Sequence, residues 1–359
     1  MKRVFFGPKE CIIEKMLMDI KQSQNINYCS IDLKKRTKLF KKIFSSSKIL
    51  NKLPFFVRKR FVKKSLDNCD FFDYKNEPVV FIFINTFGLF GEDNFWTFID
   101  VLKKTFINSK FAFYYYAAVD YCYPALFSQV QKTFDLVLSF DRYSSEKYGT
   151  TFYGPINENG IVEPSDICEL SDVFFSGNNL GVDKNSTLRM DLACELFSFI
   201  SDKGRKCVFY LDGCTESDKE MIFKKITETA SNPSGVIING NIIKYLDSSL
   251  NFAYIPYNKS LGYLKKTKAV LEIGSPSDKG FIYTARVAQA MIAGKKLITN
   301  AAMIVKEEFY NKNNYILFDN VKDLDISRID LPSESINYDF SGVSMVDYVE
   351  KFFVSYAVK

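Results

Sequence analysis

The stretch 271–300 (LEIGSPSDKGFIYTARVAQAMIAGKKLITN) concentrates the groups best suited to hold an anion. A short apolar run ends in a Gly-Ser-Pro loop, passes Lys279 and Gly280, and enters an amphipathic pattern with Thr284 and Arg286 in its first turns. A glycine-bearing loop at a helix N-terminus offers unpaired backbone N–H groups and the positive end of the helix dipole, a natural seat for a diphosphate. Arg286 can grip phosphate oxygens through two parallel hydrogen bonds, and Thr284 can add a hydroxyl. The same residues also suit a plain connector in which Arg286 pairs with an acid.

The chemistry open to such a loop is bounded by composition. The 359 residues include no histidine, so no Ser-His or Cys-His nucleophile, no histidine base and no histidine-ligated metal can form. Catalysis would rest on carboxylates, Lys, Tyr, Arg, backbone dipoles or the substrate. Eight cysteines lie far apart with no C-x-x-C pair, which fits neither a zinc site nor a secreted disulfide framework and reads as reduced, buried small hydrophobes.

Charge is unevenly spread. The formal net charge is +6, yet segment 34–64 holds thirteen Lys or Arg and no acid, leaving 35 bases against 42 acids elsewhere. Apolar residues interleave with these bases, so the segment, with Lys34, Lys35, Arg36, Lys41, Lys42, Arg58, Lys59 and Arg60, reads as an amphipathic patch for an anionic membrane surface or an acceptor. Nucleic acid is not expected as a partner, because no recognised nucleic-acid-binding motif accompanies the patch. The N-terminus lacks a signal-peptide core and no apolar run approaches eighteen residues, so a cytoplasmic protein, or one peripheral to the inner face of the cytoplasmic membrane, is expected.

The elements that must position these groups follow from hydrophobic periodicity. Runs at 3–6, 79–85 (VVFIFIN), 111–119 and 136–140 read as strands buried on both faces, with helix-like patterns at 11–22, 95–108 and 125–134 between them. A Gly-, Pro- and Asn-rich stretch at 154–172 reads as an interdomain link. A second alternation follows, with strands at 173–176, 206–211, 251–255, 269–273, 296–299 and 315–318. Its helices fall at 186–203, 217–230, 260–267 and 284–293, the first and last closed by Gly204 and Gly294. Two α/β halves with parallel sheets result. The expected domains are 1–160, 161–335 and a C-terminal helix at 336–359.

In the order in which they occur, FDLVLSFDRYSSEKYG at 134–149, VFFSGNN at 173–179, YNKSLGYLKKTKAVLEIGSP at 257–276 and the stretch 279–318 resemble bacterial glycosyltransferases of the GT-B architecture. The similarity is greatest to enzymes that build lipopolysaccharide core, O-antigen or capsule. The resemblance implies two Rossmann-like domains facing a cleft, a C-terminal helix crossing back to the first domain, and a nucleotide-sugar donor site in the second domain. It places Gly177 and Asn178 near the leaving diphosphate, and Tyr254, Pro256 and Tyr257 near the base. Ser275, Lys279, Gly280, Thr284, Arg286 and Gln289 would surround phosphates and sugar. Family relatives commonly carry Glu where this chain has Gln289, and that Glu holds sugar or ribose hydroxyls.

The resemblance also implies a metal-independent reaction with no cofactor, the nucleotide-sugar being a co-substrate and a glycan or lipid-linked molecule the acceptor. The D-x-D at Asp323-Leu324-Asp325 reads as a helix cap or solvated turn. An inverting enzyme needs a carboxylate to take the acceptor's proton. Glu92 and Asp93, after the 79–85 strand, and Asp120, after the 111–119 strand, are the candidates, and each equally suits a helix cap. A retaining enzyme needs no strong base.

Overall fold

The computed structural model describes residues 2–8, 26–31, 57, 60, 70–84, 92–115, 119, 124–139, 142–152, 170–178, 184–274 and 285–334. The chain divides into two compact units, Met1–Gly154 with Met345–Lys359, and Pro155–Ser344. The helix expected at 11–22, the C-terminal helix at 336–359, Asp120, and the basic segment apart from Val57 and Arg60 lie outside the described residues. Arg60 itself is exposed.

The first unit holds a six-stranded sheet formed by β1 (Lys2–Pro8), β2 (Ile26–Ile31), β3 (Val79–Ile84), β4 (Ser109–Tyr115), β5 (Leu136–Ser139) and β6 (Thr151–Phe152). Their order is β2-β1-β3-β4-β5-β6 and every pairing is parallel. Helices α1 (Glu92–Thr105), α2 (Phe127–Thr133) and α3 (Arg142–Tyr148) lie between strands β3 to β6. All six residues of β3 are buried, which is why its sequence is apolar without alternation. Phenylalanine fills the core. The Phe83 ring lies 4.7 Å from Phe6, 5.7 Å from Phe95 and 5.6 Å from Phe134, the last two edge to face. Such pairs add about 0.5–1.5 kcal/mol each beyond their buried area.

The second unit contains β7 (Ser171–Asn178), α4 (Lys184–Asp202), β8 (Cys207–Asp212), α5 (Glu216–Thr229), β9 (Val236–Asn239), β10 (Ile242–Tyr245) and β11 (Ser248–Asn251). After these come α6 (Tyr257–Lys265), β12 (Thr267–Glu272), α7 (Ala285–Ile292), β13 (Lys296–Thr299) and β14 (Tyr315–Leu317). The sheet order is β14-β13-β12-β7-β8-β11-β10-β9. From β11 to β14 this is the 3-2-1-4-5-6 order of a Rossmann sheet, with strand order reversing between β7 and β12. Alternation along β7 builds three layers. Val173 and Phe175 face a core with Ala193, Phe197 and Ile200 of α4, whereas Phe174 faces Leu264 of α6 and Val287 and Met291 of α7.

Strands β2, β6, β9 and β10 are additional to those expected, and one expected strand is displaced. The strand expected at 251–255 is instead β11, Ser248–Asn251, the last strand of an antiparallel meander. The two-residue turn Leu246-Asp247 sets its register, pairing Tyr245 with Ser248, so Leu250 points into the core while 252–255 leave the sheet. Gly204 and Gly294 close α4 and α7 with positive φ, as the C-caps read from sequence require. Cys194 and Cys207 are buried free thiols, and burial pushes the Cys207 thiol up to about 11. Among the described residues no helix is long and apolar enough to cross a membrane.

At the amino edge of this sheet Asp172 meets Lys268 at 2.9 Å and Arg205 at 4.0 Å, and Asp330 receives hydrogen bonds from both bases, from Lys268 at 3.2 Å. The Arg205 and Lys268 hydrogen bonds hold the Asp330 carboxyl below its ordinary value of 3.8. A carboxyl depressed in the folded state stabilises above its unfolded value, and that contribution fades as pH falls through the folded value. Asp330→Asn is therefore expected to melt earlier than the parent at pH 7. The gap should narrow as pH drops below about 3.8. Melting curves followed by circular dichroism across that range check it, and a gap independent of pH would contradict it.

Candidate functional site

Ligands of open α/β sheets sit beyond the carboxyl ends of the strands, at the point where strand order reverses. In the second unit that edge holds a pocket of about 290 Å³ lined by Ser176, Gly177, Arg189, Tyr210, Asp212, Ala253, Tyr254, Ile255 and Arg286. Five elements converge on it. β7 brings Ser176 and Gly177, β8 brings Tyr210 and Asp212, α4 brings Arg189, the segment after β11 brings 253–255, and α7 brings Arg286.

Arg286 is the most constrained of these groups. Its Nε lies 2.9 Å from Oε2 of Glu272, a carboxylate only 1% exposed at the end of β12. Its Nη1 donates to Ser176 Oγ at 3.1 Å, and its guanidinium carbon stands 5.7 Å from the centre of the Phe175 ring. The acid partner of Arg286 is thus deep in the sheet. This fixes the guanidinium at the pocket wall before any ligand arrives, the arrangement that lets a cation act without reorganising. Gly177 belongs to the same construction, because a methyl group there would come within 2.7 Å of the Phe175 ring that backs Arg286.

Tyr210 donates its phenolic proton to Tyr263 at 3.2 Å, and Tyr263 stacks on Phe174 with ring centres 5.4 Å apart. Burial is the main force raising the Tyr210 pKa, so this wall is a neutral hydrogen-bonding group. The start of the loop that follows β12 is fixed by Asn300. Its Oδ1 accepts from the Gly274 N–H at 2.8 Å and its Nδ2 donates to the Gly274 carbonyl at 3.2 Å.

Of the residues singled out in the sequence, Gly177, Tyr254 and Arg286 come together in the pocket. Tyr254 is 61% exposed. Pro256 stands at the N-cap of α6, which Tyr257 opens. Gln289 is buried on α7, 4% exposed, and is not among the lining residues. Asn178 ends β7. Ser275, Lys279, Gly280 and Thr284 lie outside the described residues. In the first unit Glu92 and Asp93 are the opening residues of α1. Arg189, Tyr210 and Asp212 were not singled out. Asp212 carried a usable signal, as the acid that ends the apolar run CVFYLD, whereas Arg189 sits in an ordinary amphipathic helix.

Among the described residues no three Cys, Asp or Glu side chains are grouped to hold a metal ion. Asp325 caps the short helix Ile326–Asp330 by accepting from the Ser327 N–H at 3.2 Å, and Asp323 accepts from Asn320 at 3.0 Å, the local roles read for this D-x-D.

Two Rossmann-like units in one chain, the second with its pocket at the strand-order reversal, define the GT-B type of fold. Comparison with known proteins agrees at that level. No protein-family model and no curated protein matches the sequence. Among solved structures the chain is similar to AviGT4, a glycosyltransferase involved in avilamycin A biosynthesis. The identity is 10% and the TM-score 0.53, over 99% of this chain and 97% of that one. It is also similar to the N-terminal domain of Candida albicans trehalose-6-phosphate phosphatase, at 10% identity and TM-score 0.58 over 99% and 96%. A third is an alpha-glucosyltransferase in complex with UDP and a DNA 13-mer, at 11% identity and TM-score 0.56 over 98% of both chains.

Proposed function

We propose that the protein is a glycosyltransferase that moves a sugar from a nucleotide-sugar donor to a cell-surface glycan acceptor, such as lipopolysaccharide core, O-antigen or capsule. The observation that carries the donor half is the prefixed Arg286 guanidinium at the strand-order reversal, held by Glu272, Ser176 and the Phe175 ring. A dianionic leaving group is neutralised there by a fixed cation and, on the sequence reading, by Lys279 and a helix N-terminus, with no metal required. The fold shared with AviGT4 and with the UDP-bound alpha-glucosyltransferase supports the same chemistry. The acceptor half rests on the sequence resemblance and on the basic segment 34–64, which suits work at an anionic surface.

A second reading, a GT-B protein that binds nucleotide-sugars without turnover, rests on Gln289, which is neutral and buried away from the pocket lining. A thermal-shift screen against a panel of nucleotide-sugars separates these readings from failure. A donor at a hundred times its Kd stabilises the folded state by about 2.7 kcal/mol, a rise of several degrees. The binding donor should then release nucleoside diphosphate in the presence of acceptor glycans. Binding without release favours the second reading, and no shift with any nucleotide-sugar or nucleoside diphosphate removes both.

A further inference from the structure

We infer that Asp212 accepts the ribose hydroxyls of the bound nucleotide and sets a preference for ribonucleotides. This rests on the nucleotide-sugar reading of the pocket. The strand residues of the pocket come from β7 and β8, which lie side by side in the order β12-β7-β8-β11, neighbouring strands being about 4.8 Å apart. Arg286, from the helix after β12 and bonded to Ser176 of β7, marks one end as the place for phosphate. The segment 253–255, leaving β11, with the Tyr254 ring 61% exposed, marks the other end as an apolar and aromatic surface for the base. Asp212 stands between them. It is the last residue of β8, paired across the sheet with Asn178, two residues past the Ser176–Tyr210 pair. A nucleoside diphosphate has the same order of parts, so its ribose falls at β8.

The chemistry fits that place. An ionised carboxylate is purely an acceptor, and two vicinal hydroxyls present two donors to its two oxygens. Phosphate would be repelled by it, so Asp212 also reinforces the direction in which the nucleotide lies. Its Oδ1 accepts the Gly213 N–H at 2.8 Å, which orients the group, and among the described residues Asp212 forms no ion pair that would consume it. Among the described residues it is also the one carboxylate lining the pocket, since Glu272 is committed to Arg286 behind the wall. The carboxyl end of the second strand of a 3-2-1-4-5-6 sheet is where an acid meets ribose in dinucleotide-binding domains. Here the same position lines the pocket, whereas Gln289 is neutral, buried and not among the lining residues.

The test compares Kd values for ADP, CDP, GDP and UDP with those of their 2′-deoxy counterparts, using titration calorimetry on the full chain. For the best-bound base, the parent protein should prefer the ribonucleotide by about tenfold or more, the size of a hydrogen bond to a charged group. Asp212→Ala should weaken binding of both, because the 3′-hydroxyl bond is lost in each, but should weaken the ribonucleotide by about tenfold more and so erase the preference. Asp212→Asn keeps an acceptor for the Gly213 N–H and should show an intermediate preference, which separates ribose recognition from a loss of loop structure. A ribose preference that survives in Asp212→Ala, or equal binding of both sugars by the parent, would overturn the role of Asp212 while leaving the nucleotide-sugar reading intact. Absence of binding by any nucleoside diphosphate would overturn both.

Discussion

Arg286→Met is expected to lower the unfolding free energy of the second unit by about 3 kcal/mol and to weaken nucleoside diphosphate binding at least about a hundredfold. The two losses have separate causes. Methionine fills much of the space of the arginine stem but takes the cation away from Glu272, a carboxyl at 1% exposure, and breaking a buried pair from one side is strongly destabilising. Binding falls because the fixed guanidinium supplies charge-assisted hydrogen bonds to phosphate. The double variant Glu272→Gln with Arg286→Met separates the two. It replaces the buried carboxyl by a neutral amide and should recover most of the stability, yet it should bind no better than the single variant. Urea denaturation followed by circular dichroism, together with calorimetric titration, reads both quantities. Parent-like binding by Arg286→Met would exclude Arg286 from phosphate recognition. Failure of the double variant to recover stability would exclude the buried-charge argument.

In the first unit the largest expected effect is Phe83→Ala, at about 4 kcal/mol. Phe83 is fully buried at the middle of the core, with the rings of Phe6, Phe95, Phe98 and Phe134 between 4.7 and 6.3 Å from its own. Truncation removes the transfer energy of the ring and leaves a cavity that neighbouring rigid rings fill poorly. For a unit of this size the midpoint should fall by roughly 8–16 °C. Phe83→Leu keeps much of the volume and should cost less than half as much. The chain supplies its own probe, since its single tryptophan, Trp96, lies on α1 with its ring 5.1 Å from that of Phe95. Denaturant unfolding monitored by Trp96 fluorescence gives the difference directly, and a change under 1 kcal/mol would show that this cluster collapses around the gap.

Strands covered by helices on both faces were legible in the sequence, because burial on both sides leaves an uninterrupted apolar run. β3, β8, β12 and β13 all lie within a residue or two of where their sequences place them. β9 is not legible, for the opposite reason, and β10, although it alternates, is only four residues long. β9 sits at the sheet edge with Ile237 and Ile238 both exposed, so no pattern of inside and outside survives there. Asn239-Gly240, where Gly240 has φ 56°, was the available sign of their hairpin. The apolar residues 252–255 were read as strand because nothing local reveals that they form a pocket wall instead. Arg286 and Gly177 were legible as a cation after a loop and a glycine at a strand end. Glu272 as the partner of Arg286, and Asp212 as a neighbour of Asn178, depend on which strands lie side by side, and that order is set by tertiary packing.

The meander that hid those strands has a consequence for endurance of the pocket. A sheet opens from its edges, where backbone groups are unpaired on one side and local unfolding costs least. Without β9 and β10 that vulnerable border would be β11, the strand that delivers 253–255 to the pocket. Two additional strands shift the border outward by about 10 Å. Breathing of the sheet margin is thereby spent on β9, and this wall of the pocket is carried by a strand paired on both sides.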